Sequence, residues 1–164
     1  MKNEGFSLIE LMVVLILMSL SIALVTPSLS RFSRTVELKA AAKKVSTILR
    51  YCRSEAINKG KVYQVFIDPE LNEIRAQPLA SPEEEEENAD KDGKGFPKIY
   101  PLPSGINVKE VETESPQYAS DFPTIEFYPN GGSNGGTILL DAEDRNGFRI
   151  RVNFITGVVA IEQV

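Results

Sequence analysis

The sequence predicts an α+β chain in which a long N-terminal helix packs on a C-terminal antiparallel β domain. Three observations carry this: an apolar run from Phe6 to Val25, an apolar stripe at helical spacing that continues to Ile57, and seven short β-type segments divided by Pro, Gly, Asn and Asp. The chain has 164 residues, 42% of them hydrophobic, and a formal net charge of -5. Those averages conceal unlike parts. The apolar run, a basic stretch and an acidic body follow one another.

Sixteen of the twenty residues from Phe6 to Val25 are apolar. At about 1.5 Å per helical residue they span about 30 Å, the thickness of a bilayer's hydrocarbon core. A cleaved secretory signal is the competing reading, and Ser28-Leu29-Ser30 offers small residues for its cleavage. Against it, the run exceeds the usual length of about 7 to 15 residues, and it contains Glu10, an acid that costs about 2.5 to 3.5 kcal/mol deep in a membrane helix. An intramembrane carboxylate marks a functional position by default. The plainer alternative is that Glu10 reaches the cytoplasmic headgroups.

Pro27 lacks a backbone donor and crowds the carbonyl of Ala23, so the helix should end or kink there. Periodicity favours a kink. Val45, Ile48, Leu49, Cys52, Ala56 and Ile57 recur at helical spacing, with Lys43, Lys44, Arg50, Arg53 and Lys59 mostly off the stripe. Lys59-Gly60 then supplies a stop. One curved helix from about Ser7 to Asn58 would be about 78 Å long. Cys52, on the stripe, reads as a buried small hydrophobe rather than a reactive thiol.

Strands are expected at Val62 to Ile67, Glu73 to Gln77, Ile106 to Val111 and Ile125 to Tyr128. Three more, Thr137 to Asp141, Phe148 to Phe154 and Val158 to Ile161, are joined by short turn sequences and should form an antiparallel meander. Phe148, Ile150, Val152 and Phe154 alternate with Arg149, Arg151 and Asn153, giving one buried and one wet face. Residues 81–95, rich in Glu, Asp, Lys and Gly, have no apolar period and read as a solvated loop near 80–98. Asp90 and Asp92 lack the further ligands that a calcium loop needs. The glycines of Asn130 to Gly136 precede a strand rather than a helix, so they make a hairpin loop and not a phosphate cradle.

The chain has no His and a single Cys, which excludes histidine-based triads, internal disulfides and multi-cysteine metal clusters. Asp141, Glu143 and Asp144 cluster at a strand end leading into a turn, where exposed acids are commonplace, so no catalytic, cofactor or metal site is expected. From Arg31 to Lys61 nine basic residues face two acids, whereas Val62 to Val164 has eight against nineteen. Such opposed fields suit self-association or internal neutralisation.

Gly5-Phe6-Ser7-Leu8-Ile9-Glu10 resembles the processing motif of type IV prepilins and type II secretion pseudopilins. Phe127-Tyr128-Pro129-Asn130-Gly131, the glycine loop, Thr137-Ile138-Leu139-Leu140 and Thr156-Gly157-Val158-Val159 resemble the C-terminal domain of the minor pseudopilin H family, shared with pilus minor pilins. The major pseudopilin, with a short acidic calcium-binding C-terminal sheet, is less similar. The resemblance implies a type IV pilin-like fold, removal of a leader (1–5) by prepilin peptidase between Gly5 and Phe6, and N-methylation of Phe6. It further implies a transmembrane or filament-core helix (6–26), an amphipathic continuation (27–60) and a periplasmic β domain (61–164). Glu10 would pair with the freed amine of Phe6 in an adjacent copy and set the register.

The expected function is that of a minor pseudopilin at the tip of a periplasmic pseudopilus, anchored in the bacterial inner membrane before assembly and aiding export of folded proteins. Its partners would be other pseudopilins or pilins, prepilin peptidase, the membrane and secreted cargo. The alternatives are a minor pilin that primes a type IV pilus, a DNA-uptake pilin and a single-pass anchored domain that never polymerises. Some pilus relatives bind DNA through basic residues just after the closing Thr-Gly. Here those positions hold Val158, Val159 and Ala160, and phosphate contacts need cations.

Overall fold

In a computed structural model of the chain the described residues are 7–79, 97–114, 116–118, 120, 122–142 and 147–164, and within them the side chains of 23–33 are not described. The elements are α1 (Leu8–Lys59), β1 (Tyr63–Asp68), β2 (Glu73–Pro78), β3 (Lys98–Pro101), β4 (Asn107–Glu112), β5 (Thr124–Phe127), β6 (Gly136–Asp141), β7 (Phe148–Val152) and β8 (Val159–Gln163). The chain divides into two compact units, Met1–Val36 and Glu37–Val164.

The helix begins where the apolar run begins: the Ser7 carbonyl accepts the Leu11 N–H at 3.2 Å. It runs through Pro27 without a break in its helical residues. It stops at Gly60, which takes a left-handed φ of 64° that a residue with a Cβ rarely adopts.

In the second unit, α1 buries Leu38, Ala41, Ala42, Val45, Ile48, Leu49, Cys52 and Ala56 against the strands. The expected stripe is present except for Ile57, which is 44% exposed because it lies at the last turn, past the edge of the core. Burial pushes the Cys52 thiol up to about 12, with lesser electrostatic effects from Lys98 and Glu55, so it stays neutral at physiological pH.

Among the described residues, eight strands form two four-stranded antiparallel sheets, in the orders β3-β2-β1-β5 and β4-β6-β7-β8. β6, β7 and β8 form the expected meander, with Ile138 opposite Ile150 and Ile150 opposite Ile161. The sequence reading missed β3. Lys98-Ile99-Tyr100-Pro101 carries a proline, which is tolerated because β3 is an edge strand. Lys44 Nζ donates to the Pro101 carbonyl at 3.4 Å, and Lys98 Nζ sits 5.0 Å from the centre of the Tyr51 ring, so this edge is tied to α1. The expected alternation ends early. β7 stops at Val152, and Phe154, placed on the buried face by period, is 58% exposed in the following turn.

Between β1 and β2, Asp68 Oδ1 accepts the N–H groups of Glu70 and Leu71 at 3.0 and 2.9 Å. Asn72 takes the left-handed φ that closes the hairpin. β5 pairs with β1, not with a sequence neighbour, so the chain crosses from the second sheet to the first and back through the glycine loop.

Candidate functional site

The sequence-derived sites lie at the N-terminus. Gly5 and Phe6 fall outside the described residues, as do the acidic loop through residue 96 with Asp90 and Asp92, and the turn acids Glu143 and Asp144. Glu10 occupies the first turn of α1 and is exposed, where an acid also complements the positive end of the helix dipole. Around it the helix is apolar on every side: Leu8, Ile9, Leu11, Met12, Val13, Val14, Leu15, Ile16, Leu17, Met18, Leu20 and Ile22 are all exposed. Ser19 and Ser21 donate their hydroxyls back to the carbonyls of Leu15 and Leu17, each at 2.8 Å, so even the polar side chains there are satisfied within the helix.

Among the described residues no helix is long and apolar enough to cross a membrane. The described side chains of the apolar run end at Ile22, and the expected span of 6–26 extends beyond them at both ends.

In the second half of α1, two of the cations that the sequence reading placed off the apolar stripe bind backbone carbonyls. Arg50 Nη2 donates to the Val159 carbonyl at 2.9 Å, and Arg53 Nε donates to the carbonyls of Gly131 and Thr156 at 3.2 and 3.0 Å. Arg53 therefore joins the helix, the glycine loop and the β7–β8 turn. Gly157 is required at that junction: its φ is +60°, and a Cβ there would lie 2.5 Å from the Gly131 carbonyl oxygen. This gives the closing Thr156-Gly157 pair a packing role.

A second missed residue organises the crossing between the sheets. Glu126, on β5, is fully buried. Its carboxylate accepts Gln64 Nε2 at 3.1 Å and Tyr118 N at 3.2 Å on one oxygen, and Gln117 N at 2.8 Å and the Tyr128 hydroxyl at 3.0 Å on the other. Asn134 works beside it. Its Oδ1 accepts Glu126 N, while its Nδ2 donates to the carbonyls of Glu114 and Thr124. Buried polar groups must be hydrogen-bonded, and here their partners fix the segment before β5 and the glycine loop after it. Burial, with the hydrogen bond to Glu126 adding, pushes the Tyr128 phenol up to about 12. An acid between Ile125 and Phe127, two residues before Tyr128, was the sequence signal for this network, but its meaning depends on which side of β5 is covered.

The fold and these junctions can be compared with known proteins. Residues 41–156 match the family model described as Type II transport protein GspH, and residues 1–26 match the prokaryotic N-terminal methylation motif. The chain belongs to the GspH family. It is a minor pseudopilin of the type II secretion system, a structural protein of that apparatus. The family match spans the middle of the chain, which the sequence resemblance did not reach.

Type II secretion system protein H of Xanthomonas campestris pv. campestris is 28% identical over 156 residues, covering 95% of this chain and 81% of that protein. In fold the chain is similar to the minor pseudopilin EpsH of Vibrio cholerae, with a TM-score of 0.56 at 17% identity, covering 77% of this chain and 97% of that one. It is also similar to the type IV minor pilin FimU of Pseudomonas aeruginosa, with a TM-score of 0.55 at 16% identity over 80% and 92%. The type IV pilin-like fold expected from the sequence is thus the observed one. Family and motif together imply an inner-membrane-anchored periplasmic filament, association with other pilin-like subunits and N-methylation by prepilin peptidase.

Proposed function

We propose that this pseudopilin is cleaved after Gly5, methylated on Phe6 and held in the inner membrane by a single helix of residues 6–26, bent at Pro27, with the β domain in the periplasm. On assembly it joins the tip of the pseudopilus and helps push folded proteins outward. Its work is mechanical: the apolar half of α1 is the packing rod, Glu10 sets axial register against the amine of Phe6 on an adjacent subunit, and the β domain meets other tip subunits or cargo.

The observation that carries this reading is the methylation motif at the head of a helix whose large apolar side chains from Leu8 to Ile22 are all exposed. A surface of that kind is tolerated only where lipid or neighbouring subunits cover it. The test is Glu10→Leu in the full chain, followed by purification of pseudopili and measurement of the membrane-bound pool. The expected outcome is loss from the filament with the membrane pool unchanged, and normal incorporation would defeat the register role. Mass spectrometry should find an N-methylated Phe6 as the first residue, and an intact Met1 would remove the processing claim.

A further inference from the structure

The outward face of the sheet β4-β6-β7-β8 carries charge in an ordered pattern. Register places Glu110, Leu139, Arg149 and Glu162 in one row across the sheet, and Glu112, Thr137, Arg151 and Ala160 in the next. Two acids therefore lie along β4 and two arginines along β7, on either side of the uncharged Leu139 and Thr137 of β6, while Asp141, the next outward residue of β6, is paired on its own chain with Lys109 at 3.7 Å. The β-bulge at Lys109 produces this arrangement, because the register shift between Val108 and Glu110 sends both glutamates outward while Val108 and Val111 stay on the inner side. Glu110, Glu112, Thr137, Leu139, Arg149 and Arg151 line a shallow cleft of about 250 Å³.

Within the chain these charges are poorly matched. Among the described residues Glu110, Glu112 and Arg149 make no ion pair, and Arg151 reaches Glu162 only at 3.8 Å with both side chains about half exposed. Like charges two residues apart on one face of a strand repel each other, so each pair is better placed opposite the other sign.

We propose that this face is a two-fold docking surface for a second copy of the chain. A two-fold axis running along β6, between two facing sheets, sets β4 of one copy over β7 of the other and leaves the row order unchanged. Glu110 then meets Arg149 of the second copy, Glu112 meets Arg151, and Leu139 meets its own equivalent on the axis. In these two rows one sign on each side of an uncharged residue is self-complementary under that operation, as an isologous interface requires. A patch of one sheet face is smaller than a stable interface needs, so the association is weak, salt-sensitive and suited to copies already concentrated in a membrane. The inference does not depend on the filament reading or on Glu10.

The experiment uses the full chain in detergent micelles, with Leu139→Cys as a crosslinking probe under mild oxidation. The wild type, whose only thiol is the buried Cys52, is one control. Leu71→Cys, at a 63% exposed position in the β1–β2 turn, is the other. A disulfide-linked dimer is expected with Leu139→Cys at low salt, about tenfold above both controls, falling as salt is raised. Adding Arg149→Glu with Arg151→Glu, or Glu110→Arg with Glu112→Arg, should lower the yield about tenfold in each variant alone, because every facing pair then repels. Mixing the two charge-reversed variants should restore it. Equal crosslinking at positions 139 and 71, or indifference to the charge reversals, would each overturn the proposal.

Discussion

Along α1, Leu8 to Ile22 exposes its large apolar residues, Leu8 at 77% and even Val14 at 45%, whereas Leu38, Val45, Leu49, Cys52 and Ala56 are each at 1% or less. Both stretches are helical and both are rich in aliphatic side chains. They differ in how those side chains are arranged around the axis. The first is apolar on every face, so no single contact within one chain can cover it. The second confines its apolar residues to a stripe that the strands cover, and spends its cations on carbonyls of the glycine loop and the last strand. A fold that covers the stripe and leaves the large apolar side chains from Leu8 to Ile22 exposed fits the assembly role proposed for that stretch.

The contrast can be broken most severely in the buried half. Leu49→Ala should cost about 2 to 5 kcal/mol, while Leu15→Ala should leave the β domain's stability within about 0.5 kcal/mol, as read from denaturant titrations of the full chain in detergent. Equal effects would show that the two halves fold as one cooperative unit. Next in size, Glu126→Gln exchanges one acceptor oxygen for an NH₂ group that faces existing donors. Destabilisation of about 1 to 3 kcal/mol is expected, with faster amide hydrogen exchange at Gln117 and Tyr118. Unchanged exchange there would remove Glu126 as the organiser of the crossing.

A smaller effect is expected at the junction between helix and glycine loop. Arg53→Ala should cost about 1 kcal/mol and loosen the amides of Gly131 to Asn134 before those of β1, as seen by hydrogen exchange. The smallest effect concerns pH. Because the Tyr128 phenol is raised in the folded chain, its contribution is complete below the ordinary tyrosine value near 10 and is lost as pH rises from there through about 12. Tyr128→Phe should flatten that part of the stability profile, and an unchanged alkaline slope would count against the buried hydrogen bond to Glu126.

Much of this chain was legible in order of appearance. The extent of α1, its stop at Gly60, the stripe from Val45 to Ala56 and the closing meander all follow from local periodicity and turn chemistry, which act over a few residues. β3 was not legible, since a four-residue edge strand with a proline has too little pattern to separate it from loop. Ile57 and Phe154 have the right spacing for burial, and exposure at the edge of the core overrides it. Glu126 and Arg53 were visible only as an acid in a strand and a cation off a stripe. Their partners lie 62 and 103 residues away at the extremes, at Gln64 and Thr156.

The sequence by itself determined the α+β class, the apolar helix headed by the Gly5-Phe6 motif and Glu10, and the absence of histidine chemistry, because each depends on residue type and short-range spacing. Only the tertiary structure decided how the strands divide into two sheets, which charges bind backbone carbonyls, and which face sets Glu110 and Glu112 across Leu139 and Thr137 from Arg149 and Arg151. Those outcomes depend on which distant segments meet, and pairing between distant segments is chosen by burial of the whole core, which no local window of sequence contains.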